Sequence, residues 1–420
     1  MGAVKLSKAP AYRWWILVMN MLAYGYFFMT IQTAAAFGGA IQEAMGLNAT
    51  MLSFYTTATM ISFALLAGPG GKLIAKVGTK KTILIALAID VVASAVFAIA
   101  GGNYVSDLVL RFIQGISGGF IGAAAVNSTA MWFPVRQRGI AGGILLGVLG
   151  IGFTLATLGA QALLGTGMPW YAAMGGLTAV SGVVIFALYL LTVREISAVY
   201  PGAMSIAELL PEESTSDAPA RDTSKLPATM AEVRRNGKYW ACAVFGFGNA
   251  FLVYGFGTFL MFLLMNDLGI TSDLITTVIS STFFITIVAA PLGGILSDNV
   301  FKGSRYQTLM IATGITAVSL LLIPLIGSAS VILVAVLLML AYGSVSMILG
   351  PFWAIPNEIA QPQISGQCTG ELTMLSNIGG IVAAPIFAAL IDGTGTALVC
   401  LGICVAVGVI SFLCARIIHQ

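Results

Sequence analysis

Twelve long apolar runs dominate the chain, and each has the length needed to cross a bilayer as a helix. They lie at roughly 14–40, 51–72, 82–101, 107–132, 139–164, 170–192, 239–265, 271–296, 306–328, 331–355, 366–391 and 394–416, and about 18 apolar residues span a hydrocarbon core of about 30 Å. Inside lipid every backbone polar group must be satisfied internally, which leaves helices and closed barrels as the spanning solutions. Barrel strands alternate polar and apolar residues. Here Val331 to Leu340 is apolar at every position and Ile83 to Ala100 nearly so. The fold class is therefore an all-α membrane protein with twelve transmembrane helices. Composition agrees, because 58% of the 420 residues are hydrophobic and only 8% are charged, too few charges to cover a water-soluble fold. The first run follows Lys5, Lys8 and Arg13 but exceeds the apolar core of a secretory signal, so it is expected to remain as a span.

The 19 Lys and Arg residues set the orientation. Three precede span 1. Lys72, Lys76, Lys80 and Lys81 lie between spans 2 and 3, Arg136 and Arg138 between spans 4 and 5, and six more between Arg194 and Lys238. Lys302 and Arg305 follow span 8, Arg416 closes span 12, and Arg111 alone lies within a span. Basic residues of short loops are retained in the cytoplasm. Both termini are therefore expected there, in a chain of the plasma (inner) membrane. The net charge of +3 follows from this retention and not from nucleic-acid binding.

Several chemistries lack raw material. Cys242, Cys368, Cys400, Cys404 and Cys414 show no CxxC spacing and read as small packing residues. His419 is the one histidine, so neither a histidine metal cluster nor a catalytic triad is expected. Gly71-Lys72-Leu73 lacks the rest of a phosphate loop. No enzyme activity, no metal, no cofactor and no obligatory protein partner are expected; the partners foreseen are a small solute, protons or a counter-solute, and the bilayer.

A polar segment divides the chain into 1–193, a linker 194–238 and 239–420. The centre of the linker, PEESTSDAPARDTSK, is rich in charge, Pro and Ser, as linkers are. Its end, Met230-Ala-Glu-Val-Arg-Arg, reads either as plain linker or as a short helix at the membrane surface. The halves share landmarks. GGKLIAKVGTKKTIL from Gly70 corresponds to GGILSDNVFKGSRYQTL from Gly293, and Gly142 and Gly152 have counterparts at the same separation in Gly370 and Gly380. Parallel repeats of this kind suit alternating access.

With these features the chain resembles the major facilitator superfamily over essentially its full length. The family's loop G-x-x-x-D-[R/K]-x-G-x-[R/K]-[R/K] is matched by Gly71, Lys76, Gly78, Lys80 and Lys81, with Ala75 at the acidic position and Asp298 at the corresponding place in the second half. Its R-x-x-Q-G motif is matched by Arg111, Gln114 and Gly115. The resemblance implies two pseudo-symmetric six-helix bundles and secondary active transport. The segments NSTAMWFPVRQRG, from Asn127, and TMAEVRRNGKYW are similar to those of oxalate/formate antiporters and related monocarboxylate porters. Organic-anion:cation symporters carry a similar W-F-P element. A monocarboxylate or other organic anion, moved with proton coupling, is the favoured implication; exchange, export and a non-transporting membrane receptor are the alternatives. Ala290 and Ser376 stand where those antiporters carry basic residues.

Ionisable groups inside a span are costly and usually serve a partner or a pathway. Arg111 reads either as a substrate or coupling residue or as a structural, snorkelling one. Asp90 reads as its structural partner or as a proton carrier. Glu371 reads as a desolvated proton-coupling carboxylate or as an acid stabilised near a helix start. Tyr24, Asn127, Asn249, Tyr254, Tyr342 and Asn377 are polar residues of helices that line the pathway in such transporters; each serves either solute binding or packing between helices. Gly115, Gly118, Gly119 and Gly122, and likewise Gly143, Gly147 and Gly150, read as close-packing faces. For gating, the family implies that the loop acid holds the start of helix 11. With Ala75 unable to do so, Asp298 is expected against the start of helix 5 near Arg138, with Gly71, Lys76, Gly78, Lys80 and Lys81 completing the set.

Overall fold

Twelve helices are long and apolar enough to cross a membrane, and sequence explains where each begins. The structure, a computed structural model, describes residues 6, 8–134, 137–203, 205–210, 226–270, 272–301 and 304–419, without the side chains of 139, 207, 272–273, 298, 328, 357, 362–363, 365–366 and 419. The linker centre, 211–225, and the Asp298 side chain lie outside the described residues. The spanning helices are α1 (Tyr12–Ala36), α2 (Ala49–Val77), α3 (Thr79–Ala100), α4 (Tyr104–Trp132), α5 (Arg138–Leu164), α6 (Trp170–Thr192) and α7 (Gly237–Phe262). The rest are α8 (Ser272–Phe284, resuming as Thr286–Ile295), α9 (Arg305–Ile326), α10 (Val331–Met347, then Leu349–Ala354), α11 (Pro362–Thr394) and α12 (Leu398–His419).

Asn48, Asn103 and Asn236 cap α2, α4 and α7, their side chains accepting from the backbone N–H of Met51, Ser106 and Lys238, as short polar residues do at helix starts. The run expected to continue to residue 40 breaks at Phe37, and a separate helix Gly38–Met45 follows. Span 8 is interrupted at Ile285 and span 10 at Ile348. Hydropathy alone does not register such breaks, because both sides of each are equally apolar.

The helices form two six-helix bundles, α1 to α6 and α7 to α12, with α1 and α7 the most enclosed and α6 the least. Helices α2 and α11, and α5 and α8, carry the contact between bundles. Both termini and the linker lie on one face, here the terminal face; the other is the far face. The glycine faces are packing faces. A methyl group at Gly118 would collide with the Phe27 ring of α1, and one at Gly115 with Thr59 and Ser62 of α2.

Contact between bundles is graded with depth. A methyl at Gly150 of α5 would collide with the Phe283 carbonyl of α8. At Gly147 the nearest α8 atom would be 3.3 Å away, and at Gly143 it would be 4.0 Å away. These positions follow one face of α5 toward the terminal face, so the two helices diverge in that direction. Helices α2 and α11 do likewise. Near the far face Asp392 of α11 accepts hydrogen bonds from the backbone N–H of Ala49 (3.1 Å) and Thr50 (2.8 Å) and from the Thr50 hydroxyl (2.6 Å). Toward the terminal face a side chain added at Gly68, Gly71 or Gly370 would meet nothing within 4 Å. The bundles touch in the far half and open toward the termini.

Candidate functional site

Arg111 is wholly buried, and its position is inside the first bundle. Its guanidinium donates to the carbonyls of Tyr55 (3.2 Å), Thr30 (2.8 Å) and Ile31 (3.0 Å), to the Thr33 hydroxyl (3.3 Å) and to Gln114 Oε1 (3.0 Å). One cation thus ties α4 to α1 and α2. Gln114 continues the chain by donating to Ser94 Oγ (2.9 Å), and Ser94 donates to Asp90 Oδ1 (3.2 Å). Asp90, also fully buried, takes further hydroxyls from Ser117 (3.0 Å) and Thr30 (3.5 Å). A guanidinium with five donors in a fixed fork suits this geometry, and full satisfaction is what makes such a network rigid and not costly. Arg111 and Asp90 are therefore joined through Gln114 and Ser94, the family motif supplying the first link.

The polar residues expected along the pathway separate into three groups. Tyr342 is fully buried and donates to the Val253 carbonyl (3.3 Å), a packing role within the second bundle. Asn127 is exposed near the terminal end of α4. The others lie on α1, α7 and α11. Tyr24 of α1 and Tyr254 of α7 lie close enough to interact electrostatically across the interface, and the Tyr254 ring and the Met60 methyl bracket Gly380 of α11. Asn249 and Asn377, only 7% and 8% exposed, leave Asn249 Oδ1 and Asn377 Nδ2 without a partner. A buried polar atom left unpaired costs about 1–3 kcal/mol, and these two stand on neighbouring helices. One is an acceptor and the other a donor.

Above this layer, toward the far face, a continuous chain of aromatic contacts crosses both bundles. Phe27 meets Phe28, Phe28 meets Phe153, Phe153 meets Phe283 across the interface at 5.1 Å, and Phe283 meets Tyr342 at 4.9 Å. Beyond it lies a cavity of about 320 Å³ bordered by the far ends of α1, α5 and α7 and the start of α8. Sequence reasoning passed over its polar residues, Gln32, Thr157, Gln161 and Thr276, because single amides and hydroxyls in apolar runs carry no motif.

Glu371 does not stand in a desolvated pocket. Its carboxylate makes a two-point ion pair with Arg234 (Nη2 to Oε1 2.5 Å, Nε to Oε2 3.1 Å) and accepts from the Tyr239 hydroxyl (3.1 Å). The hydrogen bond and charge of Glu371 raise the Arg234 pKa above its ordinary value. A carboxylate so held favours its charged form, which accords with the alternative reading of Glu371 as a structural acid. Arg234 belongs to the helix Met230–Arg235, capped by the Thr229 side chain, with Met230 and Val233 buried against the second bundle. The linker end is thus docked to α11.

The gating set is distributed. Gly71, Lys76 and Lys81 are exposed. Gly78 has φ of 90°, and Glu195, from beyond α6, lies against it and accepts from the backbone N–H of Lys80 (3.1 Å). The Lys80 ammonium donates to the Leu190 carbonyl (2.8 Å). Arg138 turns back to the Phe133 carbonyl (3.2 Å). Among the described residues, Asp392 is a carboxylate that joins the bundles at a helix start, at the far face on the start of α2.

Twelve apolar helices in two bundles related by a repeat and meeting at a graded interface define a polytopic solute carrier. The chain belongs to the Major Facilitator Superfamily, whose family profile matches residues 16–384. It is 22% identical over 374 residues to a hexuronate transporter of Bacillus subtilis (strain 168), covering 85% of this chain and 82% of that protein. It is 23% identical over 362 residues to a probable sulfoacetate transporter of Cupriavidus necator, with the same coverage of 85% and 82%. Among solved structures it is similar to a bacterial homologue of the human lysosomal transporter Spinster in an inward-facing, unoccupied conformation, at a TM-score of 0.68, 17% identity and 98% coverage of both chains. The chain is a secondary transporter of this superfamily. The relatives found include transporters named for hexuronate, sulfoacetate and galactarate/D-glucarate, whereas the W-F-P segment suggested oxalate/formate antiporters.

Proposed function

We propose that this protein moves a small organic anion, with a hexuronate as the favoured case, between the two sides of the membrane by alternating access. The carrying observation is the pair of unsatisfied amides, Asn249 Oδ1 of α7 and Asn377 Nδ2 of α11, on the helices that also bring Tyr254 to Tyr24 and Gly380 to Met60 of the first bundle. A hydroxylated monocarboxylate offers both donors and acceptors to such groups, and the relatives' substrates are organic acids. The division into 1–193, linker and 239–420, with both termini in the cytoplasm of the plasma membrane, belongs to this reading and rests on the distribution of Lys and Arg. Under it the terminal face is cytoplasmic and the bundles open inward. Proton coupling is part of the proposal, with Asp90 as the carrier, because it is the acid near the middle of a span and sits in a hydroxyl network.

Counterflow in proteoliposomes tests this directly. Labelled D-glucuronate and sulfoacetate are offered with and without an imposed proton gradient. Exchange of glucuronate, and its accumulation under an inward gradient, are expected; failure of both anions to exchange overturns the reading.

A further inference from the structure

The far-face cavity lies apart from the groups assigned to the solute above. Gln32 is eight residues beyond Tyr24 on α1, about 12 Å along a helix, and the aromatic contacts of Phe28, Phe153 and Phe283 intervene. Gln32 is 6% exposed and lines the cavity, yet it makes no hydrogen bond among the described residues. Its amide fills the space that a side chain at Gly257 would need, with Oε1 2.6 Å and Nε2 3.1 Å from a methyl placed there. Gly257 thereby admits the amide to the seam between the bundles. Thr157, 9% exposed, donates its hydroxyl to the Phe153 carbonyl (3.0 Å) and keeps its lone pairs for a ligand. Gln161 and Thr276 complete the polar lining, and no lining residue is charged.

We infer that this cavity is a second solute site, which binds a neutral, polyhydroxylated group before the solute passes the aromatic layer. Amide and hydroxyl groups without charge match hydroxyls as donor and acceptor and give a carboxylate no counter-ion. The volume of about 320 Å³ stands at the lower end of small-molecule pockets, roughly 300–1,000 Å³, as a six-carbon polyol requires. Because α1 and α5 contribute one wall and α7 and α8 the other, the site holds its shape only while the bundles keep their far-face contact. It is therefore a station on the far side of the barrier. The inference rests on the solute-carrier reading for its purpose, but its test does not depend on transport.

Thr276→Cys, in a chain whose native cysteines are replaced, is labelled with a maleimide in the presence of D-glucose as the neutral probe and D-glucuronate as the charged one. Glucose should slow labelling at least threefold, glucuronate should protect no better, and Gln32→Met should abolish protection by both. Unchanged labelling with glucose, or protection that persists in Gln32→Met, overturns the site. Stronger protection by glucuronate than by glucose overturns its neutral character. If neither anion exchanges in proteoliposomes but glucose protection is lost on Gln32→Met, the proposed function fails while the site stands.

Discussion

The polar chain around Arg111 in the first bundle and the amides Asn249 and Asn377 in the second are buried in opposite ways. In the first, Arg111, Gln114, Ser94, Ser117, Thr30 and Asp90 form one chain in which the cation, the acid and the groups between them all have partners. In the second, Asn249 and Asn377 each keep a buried atom with none. Buried networks are rigid when complete and costly when incomplete. The Arg111–Asp90 chain thus holds helices of the first bundle together, and on the proposed reading the two amides of the second serve the solute.

The largest effect expected from breaking this contrast comes from Arg111→Ala. It strands carbonyls of two helices and leaves Asp90 a buried charge without its cation, a loss of about 3 kcal/mol or more. Thermal unfolding in detergent should show a marked drop in Tm along with lost transport; an unchanged Tm would return Arg111 to a pure solute role. Asn249→Leu combined with Asn377→Leu should do the reverse. The fold should hold or gain stability while KM for the solute rises roughly tenfold, equivalent to about 1.4 kcal/mol, and a wild-type KM would sink the site. Asp392→Asn weakens an anion at a helix start, worth roughly 0.3–1 kcal/mol when exposed, enough to shift a two-state equilibrium up to several-fold. Faster labelling of a cysteine placed in the far-face cavity is the expected sign, and an unaltered rate removes Asp392 from the latch. The smallest effect is that of Glu371→Gln. Proton-driven uptake should persist with Tm almost unchanged; its loss would restore Glu371 as the coupling group.

Spans, bundle number and the packing role of the glycine faces were legible in sequence because length, hydropathy and small-residue spacing are local properties. The capped helix at Met230 was one of two open readings of the linker end, and its Thr229 cap and Glu232 stand at capping-box spacing. The candidate site was legible only as a set of types. Tyr342 and Asn249 look alike in sequence, both polar and mid-span, and what separates them is whether a neighbouring helix offers a partner. The Val253 carbonyl does so for Tyr342; nothing described does so for Asn249 Oδ1. The Asp298 side chain, where the repeat places the latch, lies outside the described residues, and one bond between the bundles that the sequence did not announce is made by Asp392 to Thr50, 342 residues apart. No periodicity reports a contact at that separation.

Gly150 against the Phe283 carbonyl acts as a fulcrum. On one side of it the arms of α5 and α8 part, from collision at Gly150 to 4.0 Å at Gly143, over a length of roughly 10 Å. Rotation that brings those arms together swings the opposite arms apart, and the load then falls on the Asp392 cap of α2. A lever with its pivot fixed and its far end tied can tip only when the tie lets go. On the proposed alternating-access reading, release of Thr50 by Asp392 accompanies closure of the terminal face.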